Sequence, residues 1–340
     1  MQWPKFRCET SRPTDCVIAV TYLCNSRCVM CDFWKETRQP TMTLDDYHKL
    51  PSSLRDVNVS GGEPFLRPDL IDVIGAIRQA CPRARIIIST NGLFTDRIIE
   101  TMRRILTIEP RIGVRVSIDG TGVMHERIRR IPQAFDKALA TLRGLAATGV
   151  RDLGIAYTMV GENAGHLTEI YDLARREGVD FTCAAAQSSD VYFGGKRFEL
   201  NIDPAVVARE FNAVVTSELR RWNPKSWVRA YFIDGLRQLV LRGAQALPSR
   251  PGTDFFFLDP FGNVYPSVVH ATTIGNLREA TTFEEIWNSD IAAAARYAAA
   301  TDVHPCWMVC TARTAIRRHA FRVIWWIIRR KLAAFFGINT

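Results

Sequence analysis

The feature that most constrains this chain is a cluster of three cysteines close to its start. Cys24, Cys28 and Cys31 follow an apolar run over 17–23 with the spacing Cys-x3-Cys-x2-Cys. Thiolates on one short loop can meet at a single metal centre, and a four-iron cluster held by three of them keeps one iron open for another ligand. The spacing therefore predicts a reactive metal centre at the end of a β-strand.

Two simpler interpretations of the cysteines remain open at this point. A structural zinc site closes with a fourth ligand, and the residues directly after Cys31 supply only Asp32. Free cysteines are also often buried as small apolar side chains without binding a metal. The remainder of the chain has to decide between these alternatives.

Three further motifs each follow a β-branched run. They are Val-Ser-Gly-Gly-Glu-Pro at 59–64, Ser-Thr-Asn-Gly at 89–92 and Val-Ser-Ile-Asp-Gly at 116–120. Motifs at the carboxyl ends of parallel strands line one rim of a barrel, where such folds keep their active sites. Together with the cysteine spacing, they resemble the radical S-adenosylmethionine (radical SAM) family.

Strand-like and helix-like segments alternate through the first half of the chain. The strand-like runs lie at 17–23, 56–60, 85–89, 113–118, 153–159 and 180–184. This alternation indicates βαβ units, so we predict an α/β fold, a partial (β/α)6 TIM-like barrel with a wide lateral mouth. We divide the chain into the barrel (1–189), a helical bridging segment (190–248), an extension (249–312) and a basic amphipathic helix (313–340).

The family resemblance implies a 4Fe–4S cluster and S-adenosylmethionine as cofactors, with a reductant such as flavodoxin or ferredoxin as a partner. It implies that Cys24, Cys28 and Cys31 bind the cluster. For S-adenosylmethionine it implies these contacts: Gly61, Gly62 and Glu63 with the amino group, Asn91, Ser117 and Asp119 with the nucleoside, and Arg129 with the carboxylate. Gly-Gly, Asn-Gly and Asp-Gly also suit ordinary turns, and Arg127 or Arg130 offers an alternative to Arg129.

The segment from about 250 resembles the carboxyl-terminal extension called SPASM or, in its shorter form, twitch. Ser249, Ser267 and Val303 stand where that pattern has cysteines, and only Cys306 and Cys310 remain. Serine is a poor ligand for iron–sulfur centres, so we expect a degenerate extension without a normal auxiliary cluster. An unusual site completed by His270 or His304 is the alternative.

Charge is concentrated at the carboxyl terminus. Residues 311–340 carry seven of the net nine positive charges and no acidic residue, around the apolar stretch 323–328. This stretch is too short to span a bilayer, so the helix either lies at a membrane interface or packs on the barrel with a basic outer face. The nearly neutral body and the absence of nucleic-acid-binding motifs exclude a nucleic-acid partner.

The start of the chain, over 1–7, does not read as a signal peptide. We therefore expect a cytoplasmic protein, with peripheral contact to the inner face of the membrane as a variant of that expectation.

The resemblance implies an enzyme that cleaves S-adenosylmethionine to a 5′-deoxyadenosyl radical and abstracts a hydrogen atom. We expect a small-molecule substrate of the sugar, nucleoside or glycan type. A peptide-modifying maturase is the alternative, and a non-catalytic iron–sulfur or zinc scaffold is the third reading. Cys183, near the end of the sixth strand-like run, is predicted to return a hydrogen atom to the substrate radical, unless it is a small buried core residue.

Overall fold

A parallel sheet forms the body of the protein in the computed structural model, which describes residues 12–302 and 306–335. Its first strands are β1 (Asp15–Thr21), β2 (Asp56–Gly61), β3 (Arg85–Thr90), β4 (Gly113–Ser117), β5 (Asp152–Met159) and β6 (Asp180–Ala185). Each pairs in parallel with the next along the chain. The predicted partial α/β barrel is confirmed, and every predicted strand lies within two residues of an observed one.

Helices connect these strands and cover the outside of the sheet. They are α1 (Leu44–His48), α2 (Leu70–Ala80), α3 (Thr95–Ile108), α4 (Val123–Arg129), α5 (Ala134–Ala147) and α6 (Leu167–Arg176). The sequence pattern does not predict α4, because its seven residues include two arginines and a histidine and show no clear apolar periodicity.

The extension adds strands to the other edge of the same sheet. β7 (Phe255–Leu258) pairs in parallel with β1, and β8 (Asn263–Tyr265) and β9 (Gly275–Asn276) continue in antiparallel order. The strand order is β6-β5-β4-β3-β2-β1-β7-β8-β9, so the expected six-stranded sheet has nine strands in the described part of the chain. All of β7 is buried, as expected of an apolar strand inside a parallel sheet.

Six more helices complete the described structure. They are α7 (Pro204–Arg220), α8 (Pro224–Arg242), α9 (Phe283–Trp287), α10 (Asp290–Thr301), α11 (Val309–Arg318) and α12 (Ala320–Phe335). α7 and α8 form an antiparallel pair, and α12 packs on both. None of the helices within 12–302 and 306–335 has the length and apolar character needed to cross a membrane.

Side chains of β1 alternate between the two faces of the sheet. Ile18 and Val20 join the core between sheet and helices, whereas Val17 and Ala19 face the barrel interior with Phe257 and Tyr192. The interior cluster also contacts two of the loop cysteines. The cysteine loop therefore rests on a packed apolar floor, which limits its movement.

Candidate cluster and cofactor site

The cysteine loop leaves β1 and rests on the end of α4. The Arg27 backbone N–H donates to the Arg129 carbonyl at 3.2 Å, and the Val29 N–H donates to the Ile128 carbonyl at 2.9 Å. α4 ends in a left-handed turn at Arg130 (φ 53°), which leaves these carbonyls available to the loop. The helix that the sequence analysis missed therefore supports the predicted cluster ligands.

The three loop cysteines are free thiols, and Cys28 is the most buried of them. Ser26 links two of them: its N–H donates to Cys24 Sγ at 3.4 Å, and its hydroxyl lies 3.1 Å from Cys28 Sγ. Burial raises the pKa of Cys24 to about 12, and the nearby Cys28 adds to that rise. Without metal this thiol is protonated, so metal binding must release its proton.

Three thiolates on one short loop are a donor set that a cluster with one open iron can use. Within the described ranges, no three His, Cys, Asp or Glu side chains surround one ion position. A tetrahedral zinc site needs its ligands to meet at one point, whereas three thiolates of a cluster bind three different irons.

Gly61 and Gly62 bring the end of β2 against the end of β1. Gly61 has a φ of +122°, and a Cβ at either glycine would lie 2.1–2.2 Å from a carbonyl oxygen of Thr21 or Leu23. The Gly62 N–H donates to Thr21 O and the Glu63 N–H to Leu23 O, both at 2.8 Å. These glycines are needed for backbone packing next to Cys24, independently of any ligand.

The Glu63 carboxylate points inward and ties β2 to β3. It accepts from the Asn91 N–H at 2.7 Å, the Thr90 hydroxyl at 2.9 Å and the Phe65 N–H at 3.2 Å. Burial raises the pKa of Glu63 to about 7, although these hydrogen bonds favour the charged form. Glu63 is fully buried, so the structure assigns it a bracing role and does not expose it as a partner for an ammonium group.

Asn91 is likewise used within the protein. Its Nδ2 donates to Asn25 Oδ1 at 2.7 Å, and its Oδ1 accepts from the Leu93 N–H at 3.0 Å. Ser117 is partly exposed at the end of β4 and remains accessible to a ligand. Among the seven predicted S-adenosylmethionine contacts, the partly exposed ones are therefore Gly61, Gly62 and Ser117.

Asp119 and Arg129 form a buried ion pair beside the cysteine loop. Arg129 Nη2 lies 2.6 Å from Asp119 Oδ2, and Arg129 Nη1 lies 3.5 Å from Cys28 Sγ. Arg129 Nε is buried and finds no hydrogen-bond partner in the described structure. A buried guanidinium with a spare donor beside the cysteine loop fits a carboxylate ligand. The residues present therefore fit both cofactors.

His125 is a site residue that the sequence analysis did not select. Its Nδ1 accepts from the Asp119 N–H at 2.9 Å, which places the proton of a neutral ring on Nε2. Burial, with Arg129 nearby, lowers the pKa of His125 to about 2. The neutral ring thus fixes the turn between β4 and α4; the signal for it was its place six residues after Asp119.

Cys183 lies away from the site, which corrects its predicted role. It is 3% exposed and packs in the core between sheet and helices. Phe181, two residues earlier on the same face of β6, contacts Tyr171 of α6 edge to face. Because side chains alternate along a strand, Cys183 faces the helices and not the barrel mouth. The structure places it as a small buried core residue.

The remaining candidate residues of the extension make contacts of their own, and Cys310 packs against the same apolar cluster as Cys24 and Cys31. Ser267 Oγ lies 2.6 Å from His270 Nδ1, and Cys306 is buried with its sulfur 4.0 Å from the Thr311 hydroxyl. Val303 and His304 lie outside the described residues. The absence of a normal auxiliary cluster stays a prediction.

A loop after β6 crosses the barrel mouth. The Asp32 N–H donates to the Phe193 carbonyl at 2.8 Å, the Tyr192 hydroxyl lies 2.6 Å from Ser60 Oγ, and Ser189 Oγ donates to Val268 O. The loop therefore joins the cysteine loop, the end of β2 and the extension.

Comparison with known proteins agrees with this geometry. The radical SAM superfamily profile matches residues 18–174. The chain is 31% identical over 173 residues to the Fe-coproporphyrin III synthase of Methanosarcina barkeri, covering 48% of this chain and 41% of that protein. It is 25% identical over 287 residues to the mycofactocin maturase MftC of Mycobacterium tuberculosis, covering 79% of this chain and 69% of that protein.

A solved structure shares the fold over most of the chain. Native anSMEcpe with bound AdoMet and Cp18Cys peptide superimposes with a TM-score of 0.62 at 16% identity, covering 86% of this chain and 84% of that one. At this identity the likeness shows the fold alone. The barrel strands end at Ala185, so a superposition that covers 86% of the chain must extend beyond the barrel into the extension.

Proposed function

The chain belongs to the radical SAM superfamily, and on that premise we propose that it reductively cleaves S-adenosylmethionine and abstracts a hydrogen atom from an organic substrate. The observation that carries the proposal is the juxtaposition of the cysteine loop with the buried Arg129 guanidinium. When bound, a 4Fe–4S cluster with S-adenosylmethionine supplies one-electron cleavage to a 5′-deoxyadenosyl radical. An external reductant such as flavodoxin or ferredoxin must supply the electron.

The chain's own residues have three tasks in this proposal. Cys24, Cys28 and Cys31 bind the cluster, Arg129 pairs with the methionine carboxylate, and Ser117 remains free for a ribose hydroxyl. The bracing bonds of Glu63 hold the ends of β2 and β3 at fixed separation. Preorganisation of this kind keeps the reacting atoms aligned without reorganisation during the reaction.

For the substrate we propose a peptide as the first candidate. The similarity to the mycofactocin maturase spans 79% of the chain and so reaches into the extension. That to an AdoMet-dependent heme synthase of Methanosarcina barkeri spans 82%, so coverage alone does not separate a peptide from a tetrapyrrole. The structure that shares the fold was solved with a bound peptide. The sugar, nucleoside or glycan hypothesis draws on resemblance in the cysteine loop, and the proteins compared above give it no support.

The test is anaerobic reconstitution followed by mass spectrometry. The protein is incubated with S-adenosylmethionine, a reductant and one substrate class at a time: a peptide fraction, sugar nucleotides or a tetrapyrrole. We expect 5′-deoxyadenosine coupled to a mass change in the peptide fraction. A mass change only in sugar nucleotides would replace the peptide with the carbohydrate reading, and a wild-type protein that assembles no iron cluster would overturn the enzyme proposal itself.

We also propose that α12 brings the protein to an anionic membrane surface. The inner face of α12 packs on the body through Val323 and Ile327, which agrees with the alternative of a helix packed on the barrel. The outer face, however, is not mainly basic. A stripe of five exposed apolar side chains runs along it: Phe321, Ile324, Trp325, Ile328 and Leu332. Arg322 and Arg329 are exposed beside this stripe, a combination typical of interfacial helices.

Vesicle co-sedimentation tests the membrane proposal. Trp325→Ser with Ile328→Ser should abolish binding to vesicles that contain phosphatidylserine, because it removes apolar area and an interfacial tryptophan. Ile291→Ser, an exposed apolar residue on α10, is the matched control and should bind as wild type. Equal binding of all three proteins, or none by the wild type, would contradict membrane docking.

A further inference from the structure

The carboxyl group of Asp119 is at the centre of a buried network. Its Oδ1 accepts from the Thr158 N–H at 2.8 Å, and its Oδ2 lies 2.6 Å from Arg129 Nη2. Its backbone carbonyl accepts from Asn163 Nδ2 at 2.8 Å, and its N–H donates to His125. Every polar group of this residue thus has a protein neighbour on β5, on α4 or after β5.

The burial of Asp119 opposes a direct contact between its carboxylate and a ribose. The residue is 0% exposed and its Oδ1 accepts from a backbone N–H. Its Oδ2 lies at ion-pair distance from Arg129 Nη2 but has no directed hydrogen bond in the described structure. A ribose hydroxyl could reach Oδ2 only by entering this fully buried space and separating the carboxylate from the Arg129 guanidinium, which breaks a buried ion pair. Ser117, which precedes it at the end of β4, is partly exposed and meets no such obstacle.

Arg129 depends on Asp119 for its orientation. Asp119 is the acidic residue with which the buried Arg129 forms an ion pair, at Nη2. Nη1 faces Cys28 Sγ, and Nε has no partner in the described structure. A planar guanidinium pinned on one nitrogen presents its other donors in a fixed direction. That direction is toward the cysteine loop, whose backbone is itself fixed to the Arg129 carbonyl.

We propose that Asp119 is a positioning residue: it holds the Arg129 guanidinium in register with the cysteine loop for the methionine carboxylate, and does not bind the ribose. This inference rests on the proposed function. It assigns the recognition of the amino-acid half of the cofactor to the pair Asp119–Arg129, and leaves the nucleoside half to other residues. Loss of the Asp119 charge should therefore act through Arg129 alone.

The test separates the two halves of the cofactor. L-methionine and S-adenosylmethionine are titrated into cluster-loaded protein, and binding is followed by the change in the electron paramagnetic resonance signal of the reduced cluster. Asp119→Asn, isosteric but uncharged, should weaken both ligands alike by about tenfold or more, as expected when a buried guanidinium loses its ion-pair partner. Ser117→Ala is the control and should weaken S-adenosylmethionine alone.

A double-mutant cycle completes the test. If Asp119 acts through Arg129, Asp119→Asn with Arg129→Gln should bind methionine no more weakly than Arg129→Gln alone. A loss by Asp119→Asn that is confined to S-adenosylmethionine, or that adds fully to that of Arg129→Gln, would overturn the proposal. If Asp119→Asn does not accumulate as folded protein, Asp119→Glu takes its place. It keeps the charge but is one methylene longer, so it displaces the guanidinium and should again weaken methionine and S-adenosylmethionine alike.

The outcomes distinguish this inference from the proposed function. A wild-type protein that assembles the cluster but gives no signal change with S-adenosylmethionine would refute both. If the wild type binds normally and Asp119→Asn weakens S-adenosylmethionine but not methionine, the positioning role is refuted and the proposed function is left intact. Iron content and melting temperature, measured for each variant, show that the cluster and fold are present when binding is compared.

Discussion

Two arginines of α11 close the bottom of the barrel, and removing one of them should destabilise the whole fold. Asp15 and Asp56 begin β1 and β2 and are partners in the sheet register. Arg313 Nη1 lies 3.2 Å from Asp15 Oδ1 and 2.7 Å from Asp56 Oδ1. Arg317 repeats the arrangement with Nη1 and Nη2, at 3.2 Å and 2.7 Å from the two Oδ2 atoms.

The expected cost follows from the burial of the carboxylates. Asp15 is 1% exposed and Asp56 6% exposed, so a lost partner leaves charge in the interior. Removal of one member of a buried ion pair costs about 3–5 kcal/mol; because the second arginine remains, we expect about 2–3 kcal/mol for Arg313→Ala. Arg317, whose side chain is 47% exposed, should contribute about 1 kcal/mol.

The loss should depend on pH with a defined sign. Burial raises the pKa of Asp15, although Arg313 and Arg317 lower it. Because its folded pKa lies above the unfolded one, proton binding stabilises the fold at low pH, and this contribution is lost as the pH rises through the folded pKa. Arg313→Ala raises that pKa further, so the deficit should be largest near neutral pH and shrink on acidification.

Urea unfolding of the cluster-free, reduced protein by circular dichroism at about pH 7.5 and pH 5 measures this deficit. Arg322→Ala, on the exposed side of α12, is the control and should change the free energy of unfolding by less than about 0.5 kcal/mol. Adding Asp15→Asn to Arg313→Ala should recover part of the loss. A variant no less stable than Arg322→Ala, or a deficit that grows on acidification, would refute the reasoning.

Three other substitutions test the site and its surroundings. Alanine in place of any one of the loop cysteines should reduce the iron bound after reconstitution and abolish 5′-deoxyadenosine formation; retained iron would contradict the ligand assignment. Gly62→Ala should impair cluster assembly because its Cβ would meet Leu23 O at 2.2 Å, whereas Gly75→Ala, with its nearest contact at 3.9 Å, should not. Cys183→Ala should leave product formation unchanged and lower stability by about 1 kcal/mol, measured by urea unfolding; loss of product alone would restore its catalytic reading.

Most of the fold, and the position of the cysteine loop, could be predicted from local patterns in the sequence. The cysteine spacing, the glycine turns and the alternation of strands with helices are all contained in short windows. Phe181 and Cys183 show what a local pattern could have added, since two apolar residues at a spacing of two share one face of a strand. Applied to β6, that alternation places Cys183 on the same face as Phe181, the face covered by helices.

The inward direction of the Glu63 and Asp119 carboxylates could not be predicted from local sequence patterns. Glu63 and Asp119 sit in motifs that the resemblance links to ligand binding, yet their carboxylates face β3, β5 and α4. Their direction depends on contacts with residues far along the chain. The pairing of β7 with β1 is non-local as well, since it joins segments about 240 residues apart.

The central claim is that this chain assembles a cluster that cleaves S-adenosylmethionine. The most direct measurement is anaerobic reconstitution with iron and sulfide, followed by iron analysis and by chromatography of 5′-deoxyadenosine after addition of S-adenosylmethionine and dithionite. We predict about four irons per chain and 5′-deoxyadenosine formation that requires the reductant. Protein that retains zinc and no iron, or that holds a complete cluster and yields no 5′-deoxyadenosine, would contradict the account.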